Sequence, residues 1–350
     1  MYKKLLCFSY ISLSLPALCA EEAYDWENTL TLESVSNLQG GVSRGTKMLS
    51  NLDVTLAIDT QSAGWWDNGK FFLYVLGDYG RNPSTLTGDT QTLSNIATDN
   101  ALKIYEFWYQ HSFANDSIKL LVGLHDYNST FYSLDSAGLF SLSSFGIGPD
   151  ASQANPSIFP TTSAVLHLTF THDNFYWLLA TYDGVPGDPD HSHGTHVQFD
   201  DGDGLFTATE FGWMEDKNYK LALGTWRQTA HVENPVDGIW SDKNTGYYLI
   251  GEKYLTENSV AFFQYGHADK FKNQFSQYWG AGFRINNYWV HDDAIGLGCA
   301  TVTNGEPYLQ NNNDTKKQEV ACELTYFLPI VAQLIDKVPI ETLREFLSLA

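Results

Sequence analysis

Between residues 29 and 327 the chain repeats one pattern: short segments in which every second residue is apolar. Successive side chains of an extended strand point to opposite faces, so each such segment has one greasy face and one wet one. In 51–59, Leu52, Val54, Leu56 and Ile58 alternate with Asp53, Thr55, Ala57 and Asp59. Ile118, Leu120, Val122 and Leu124 alternate with Lys119, Leu121, Gly123 and His125; Ala164, Leu166, Leu168 and Phe170 alternate with Val165, His167, Thr169 and Thr171. Similar runs occupy 29–38, 70–79, 102–111, 175–182, 205–213, 219–227, 247–254, 259–267, 277–286, 293–302 and 319–327. These make about fourteen segments of roughly 8–10 residues, near the roughly 9–11 that a tilted strand needs to cross a bilayer. At about 3.3 Å per residue and a tilt near 40°, nine residues climb roughly the 25 Å apolar band of an outer-membrane barrel. The pattern predicts an all-β fold, an antiparallel transmembrane β-barrel of about 14–16 strands, incomplete at its C-terminus.

The connections separate into two sets. Residues 112–116 and 172–174 make short links, whereas 81–100, 126–162, 184–204 and 228–245 are long. Short turns on one rim and long extracellular loops on the other characterise such barrels. Aromatics gather near strand ends, as in Tyr105, Phe107, Trp108 and Tyr109, in Phe175, Tyr176 and Trp177, and in Tyr278 and Trp279. These suit the girdles of a membrane interface.

Composition narrows the class. Aromatic residues form 15% of the chain and charged residues 17%, the reverse of a disordered balance. With 20 basic against 41 acidic residues the chain carries a formal charge of −21 and repels polyphosphate, which excludes a nucleic-acid partner. Lys3 and Lys4, an apolar run over 5–15 and the small residues of Pro16-Ala17-Leu18-Cys19-Ala20 read as a secretory signal peptide, residues 1–20, cleaved near Glu21. A membrane anchor would need a longer apolar run, and a lipoprotein signal a small residue in place of Leu18. Residues 21–327 form the barrel, with no linker dividing it. Residues 328–350 carry Ile330, Val331, Leu334, Ile335 and Val338 at helical spacing and end without an aromatic, so they read as an atypical, helix-like tail. Cys299 and Cys322 share the apolar phase of successive strands. An exported chain permits their disulfide, and the expectation is two free, packed thiols.

Several stretches resemble a known family: 102–113 (LKIYEFWYQHSF), 122–131 (VGLHDYNSTF), 135–150 (DSAGLFSLSSFGIGPD), 156–162 (PSIFPTT), 182–190 (YDGVPGDPD) and 193–196 (HGTH). Together they look like the carbohydrate-selective porin family of the OprB type, over roughly residues 33–327. The resemblance implies an outer-membrane barrel in a Gram-negative cell that passes small sugars by passive diffusion, embedded in outer-membrane lipid, with no catalysis and no cofactor. Porins are commonly trimers, and a homotrimer is compatible with this sequence. The departure is the C-terminal tail, where such porins close the barrel with an alternating strand.

If the apolar phase meets lipid, the other phase lines the transport path. It contains Glu33, Asp53, Asp59, Glu106, Trp108, Lys119, His167, Glu210, Lys220, Trp226, Arg284 and Glu323. Carboxylates and cations bond sugar hydroxyls strongly, and indole rings suit sugar C–H faces. Loop 126–162, with Asp135, Phe140, Phe145 and Asp150, is expected to fold inward and narrow the path. The alternative is a secreted, soluble β-rich carbohydrate-binding protein or glycosidase, whose apolar phase would pack inside a sandwich. Gly41-Val42-Ser43-Arg44-Gly45 has the spacing of a nucleophile elbow but no helix follows. No metal is assigned to His191, His193 and His196 or to the acidic run 200–204, whose following residues Leu205 and Phe206 offer no ligands.

Overall fold

The computed structural model describes residues 5–15, 23–312 and 315–328 and turns the alternating pattern into one sheet. Its strands are β1 (Leu5–Leu15), β2 (Tyr24–Gln39), β3 (Gly45–Asp59), β4 (Gly69–Gly80), β5 (Ala101–Phe113), β6 (Ile118–His125), β7 (Ser163–His172), β8 (Phe175–Asp183), β9 (Leu205–Glu215) and β10 (Tyr219–Gln228). After a two-residue ladder, β11 (Val232–Glu233) with β12 (Trp240–Ser241), the sheet resumes with β13 (Asn244–Thr256), β14 (Ser259–Ala268), β15 (Phe275–Asn286), β16 (Ala294–Asn304) and β17 (Gln318–Phe327). Every strand of the large sheet pairs antiparallel with the next strand of that sheet in the chain, and β1 and β17 are its two edges, so among the described residues the cylinder is not closed. The alternating segments of the sequence correspond to β2–β10 and β13–β17. Residues 16–22, where leader cleavage is expected, and 329–350, expected to form the tail, lie outside the described residues.

Up-and-down order sends successive connections to opposite rims. The links 60–68, 114–117, 173–174, 216–218, 257–258 and 287–293 gather on one rim; 40–44, 81–100, 126–162, 184–204, 229–243, 269–274 and 305–317 gather on the other. All four long loops anticipated from sequence share a rim.

The apolar phase faces outward and is uncovered. Phe107, Leu166, Leu223 and Leu297 are 53–56% exposed, while their inward neighbours Glu106, His167 and Ala222 are buried. Among the described residues no second sheet stacks on these rows. Soluble proteins rarely leave so much contiguous apolar surface bare, whereas hydrocarbon covers it without cost. At the short-turn rim the rows end in rings: Trp65 and Trp66 lie against Phe71, Trp66 donates to the Tyr109 hydroxyl at 2.8 Å, and Trp289 meets Tyr326. Tyr247, Tyr265 and Trp279 cluster toward the long-loop rim.

Two details differ from simple alternation. In β5 the pairing with β4 slips beside Tyr105, so Lys103, Tyr105 and Glu106 all lie buried on the inner side. A bulge inserts one residue and so reverses the phase beyond it. The second is a correction. Cys299 and Cys322 are not free thiols; they stand directly opposite in the β16–β17 ladder, Cα atoms 4.1 Å apart, and are joined by a disulfide on the exposed outer face. Sequence places both on the same face, but only the register decides whether they meet.

Mass spectrometry of a non-reduced digest should therefore show the Cys299 and Cys322 peptides linked. Replacing both by Ser should lower the unfolding free energy by about 3 kcal/mol, the chain-entropy value for a loop of this length. Recovery of alkylated single peptides without reductant would contradict the pairing.

Candidate functional site

Loop 126–162 fills one side of the cylinder. It begins at Asp126, whose carboxylate accepts the Asn128 N–H at 2.7 Å and the Tyr105 hydroxyl at 2.6 Å, fixing the chain's turn inward from β6. Tyr127, Phe131, Tyr132, Phe140 and Phe145 follow, all at most 3% exposed. Their rings pack on the wall: Tyr132 edge-on to Tyr248 at 4.1 Å, and Phe140 and Phe145 against Phe262. Phe140 and Phe145 thus hold the loop down, and Asp135 is exposed at its surface. The short helix α1 (Pro149–Ser152) carries Asp150, which is fully buried.

An irregular segment inside a barrel brings backbone N–H and C=O groups that have no strand partner, and each must be satisfied. The wall supplies those partners. Glu210 on β9, with no exposed surface, accepts the Tyr132 N–H at 2.9 Å and the hydroxyls of Tyr176 and Tyr248 at 2.6 Å each. Gly212 and Gly224 make this possible, since a Cβ at either would run into the Tyr176 or Tyr248 ring. Glu323 on β17 accepts the N–H groups of Ser141 and Leu142 at 2.9 and 3.0 Å, and Glu252 on β13 accepts that of Ser136 at 3.0 Å. Donors serve the carbonyls: Lys220 reaches Ser133 at 2.8 Å, Gln264 reaches Phe145 at 2.9 Å, Tyr278 reaches Ser144 at 2.6 Å and Arg284 reaches Asp135 at 3.3 Å. Trp226 is buried in the same arc and stacks on Phe206.

The second inward loop, 81–100, joins this one. Asn95 and Ser141 bond through their backbones, as do Ser143 and Thr92. Its Ser94 hydroxyl donates to buried Glu33 on β2, and Thr90 N–H donates to Glu319 on β17 at 3.0 Å. The loops therefore connect β2 to β17.

The other predicted wall residues sit apart from these clamps. Asp53 is half-buried and accepts the Tyr74 hydroxyl at 2.6 Å. Asp59 is exposed at the rim, where it caps the turn by accepting the Ser62 N–H at 2.7 Å. Glu106 accepts the Trp108 indole N–H at 2.9 Å, Trp108 stacks on Phe72, His167 is buried beside His125, and Lys119 is half-buried on β6. Sequence reasoning overlooked Glu252, Gln264, Tyr176, Tyr248 and Tyr278 as loop anchors. A tyrosine suits either face of a strand, and nothing in its spacing reveals a loop docking against it. Among the described residues no interior carboxylate forms an ion pair with Lys or Arg, and no cluster of His, Cys, Asp and Glu is arranged to hold a metal.

Burial pushes the Asp150 carboxyl up to about 7, although Tyr132 donates to it at 3.0 Å; burial raises Asp126 to about 6. A raised carboxyl holds its proton in the fold, so its favourable contribution is complete below about pH 4 and disappears as pH rises through 7. The denaturation midpoint in detergent should fall across that window, and Asp150→Asn should flatten the fall in part. Truncating Glu210 to Ala strands three buried donors, a loss of roughly 3–5 kcal/mol. We expect E210A to make loop 126–162 cleavable by protease and to raise single-channel conductance, with the strand content by circular dichroism unchanged.

Comparison with known proteins agrees with this architecture. A search of curated protein sequences finds no match. Among solved structures, the high-pH structure of Pseudomonas putida OprB superposes with a TM-score of 0.73 at 16% identity, covering 87% of this chain and 85% of that one. The low-pH structure of the same protein gives 0.55 at 13% identity, covering 87% and 82%. At such identities the likeness concerns fold alone. The sequence profile of the family described as carbohydrate-selective porin, OprB family, matches residues 43–334, and by that match over most of its length the chain belongs to this family.

Proposed function

We propose that this protein is a passive outer-membrane channel for small, neutral sugars, without a catalytic step or cofactor. The observation that carries the reading is the division of the inner wall: between its ends at β5, loop 126–162 is bonded to β9, β13, β14 and β17, and loop 81–100 to β2 and β17, so the passage runs beside β3–β7. That arc presents half-buried Asp53, Trp108 and Lys119, with Glu106 and His167 buried beneath them, a mixture of carboxylate, cation and indole suited to sugar hydroxyls and C–H faces. Family membership supports the sugar assignment; the exposed apolar rows support the membrane. A soluble binding protein or glycosidase would have those rows packed away. The net charge of −21 disfavours anions in transit.

The same reading includes export with removal of residues 1–20, after which β2 becomes the first strand, and a homotrimeric assembly of the kind common among porins. In liposomes containing the purified protein, a neutral disaccharide should cause swelling well above that of empty vesicles, and a sugar acid of similar size should enter more slowly. Swelling equal to that of empty vesicles would remove the channel assignment.

A further inference from the structure

On the outer face of the wall, at the long-loop rim, the first residues of β7 and β9 and the last of β8 border a cavity of about 370 Å³ together with part of loop 184–204. Asp183 on β8 stands directly opposite Leu205 on β9, and Thr181 opposite Leu166 on β7. These four belong to the outward phase: Leu166 and Leu205 are 53% and 49% exposed, while Val165, Tyr182 and Phe206 between them are buried on the inner side. Exposed Phe199 borders the cavity from the loop. Long loops lie on the extracellular side of such barrels, so the cavity sits at the headgroup level of the outer leaflet.

An apolar floor and an acidic rim meet here. Asp183, Asp200 and Asp203 border the cavity, and among the described residues none of them pairs with Lys, Arg or His. Asp203 accepts the Asp200 N–H at 2.6 Å, which fixes the acidic turn. Asp183 is the informative member. It continues the outward row of Trp177, Leu179 and Thr181, yet it is a carboxylate and only 9% exposed. The Gly184 N–H lies beside it, and no side chain among the described residues donates to it. A largely buried carboxylate without a counter-ion costs free energy that an arriving cation recovers. No cluster of His, Cys, Asp and Glu among the described residues is arranged to hold a metal ion, so the three carboxylates do not converge on one point. Their spread suits an ammonium group, whose three N–H donors diverge.

We propose that this cavity seats an amine-bearing lipid of the outer leaflet, its ammonium group among Asp183, Asp200 and Asp203 and its first methylenes along Leu166, Leu205 and Phe199. The polarity of the cavity follows the membrane normal, with the acidic turn above and Leu166 nearer the hydrocarbon, which is the polarity of a lipid standing in its own leaflet. A soluble cation would leave the apolar floor uncovered. The volume falls at the low end of the roughly 300–1,000 Å³ of ligand pockets, room for a headgroup and the start of a chain. Headgroups whose charge is a phosphate alone are repelled by the same carboxylates. The site requires the outward rows to face lipid and is independent of which solute crosses the barrel.

The test is binding of dodecylammonium to the full protein in a neutral detergent, read by native mass spectrometry. Two controls run beside it: N-dodecylacetamide, which keeps the chain and loses the charge, and dodecanoate, which reverses the charge. Dodecylammonium should bind saturably, about tenfold more tightly than either control. Asp183→Asn combined with Asp203→Asn should remove about that tenfold advantage. Phe199→Ala, on the exposed loop, should weaken binding about threefold and supplies a second route if the double variant does not assemble. Equal binding of the three probes overturns the site, as does dodecylammonium binding unchanged in whichever of the two variants assembles. Saturable binding of Mg²⁺ without any amphiphile, lost in D183N, overturns the lipid occupant in favour of a metal ion. Either failure leaves the liposome swelling expected of the channel unaffected, so the two readings fall separately.

Discussion

Hydrocarbon offers no hydrogen-bond partner, so every peptide group crossing it must be satisfied by the next strand. That requirement accounts for the nearest-neighbour antiparallel order of this sheet and for the opposite-facing side chains that follow from it. It also fixes which connections share a rim. Once strands run up and down in sequence, 81–100, 126–162 and 184–204 have no choice but to emerge together. Two of these then turn back into the cylinder, where they meet the same requirement in a new form.

Inside, the backbone of loop 126–162 has no ladder to join. The wall answers with side chains: carboxylates of Glu210, Glu252 and Glu323 for its N–H groups, and Lys220, Arg284, Gln264 and Tyr278 for its carbonyls. A buried carboxylate that accepts several bonds is a firm anchor, since removing it leaves all its donors unpaired at once. Glu210 has three such donors. The glycines at 212 and 224 belong to the same construction, because the tyrosines that reach Glu210 lie across them. Charge on this arc holds peptide in place, whereas Asp53 and Lys119 make no bond to either inward loop among the described residues.

The barrel was largely legible in the sequence because period-two alternation is a direct imprint of lipid on one side. Leu52, Val54, Leu56 and Ile58 could be assigned to a face without knowing any neighbour. Three kinds of information were hidden. Register was one: Cys299 and Cys322 were placed on the correct face, but their meeting depends on how far β17 slides against β16. Local irregularity was another, since the extra residue at Tyr105 brings Lys103 inward alongside Glu106. The third was the use of the inner face. Glu210 and Asp53 are both acidic residues on the polar phase of their strands, and only the docking of a distant loop makes one a clamp while the other bonds a tyrosine of the next strand.

The outer disulfide adds a further consequence. The final two strands of the described sheet are tied by a covalent rung that lies on the hydrocarbon side, away from the passage and from both inward loops. Oxidation therefore reinforces the seam region of the wall without adding anything to the surface a solute meets. Mechanical robustness at the margin of the sheet and chemistry along the passage are assigned to opposite faces of the same strands, and either can be altered without redesigning the other.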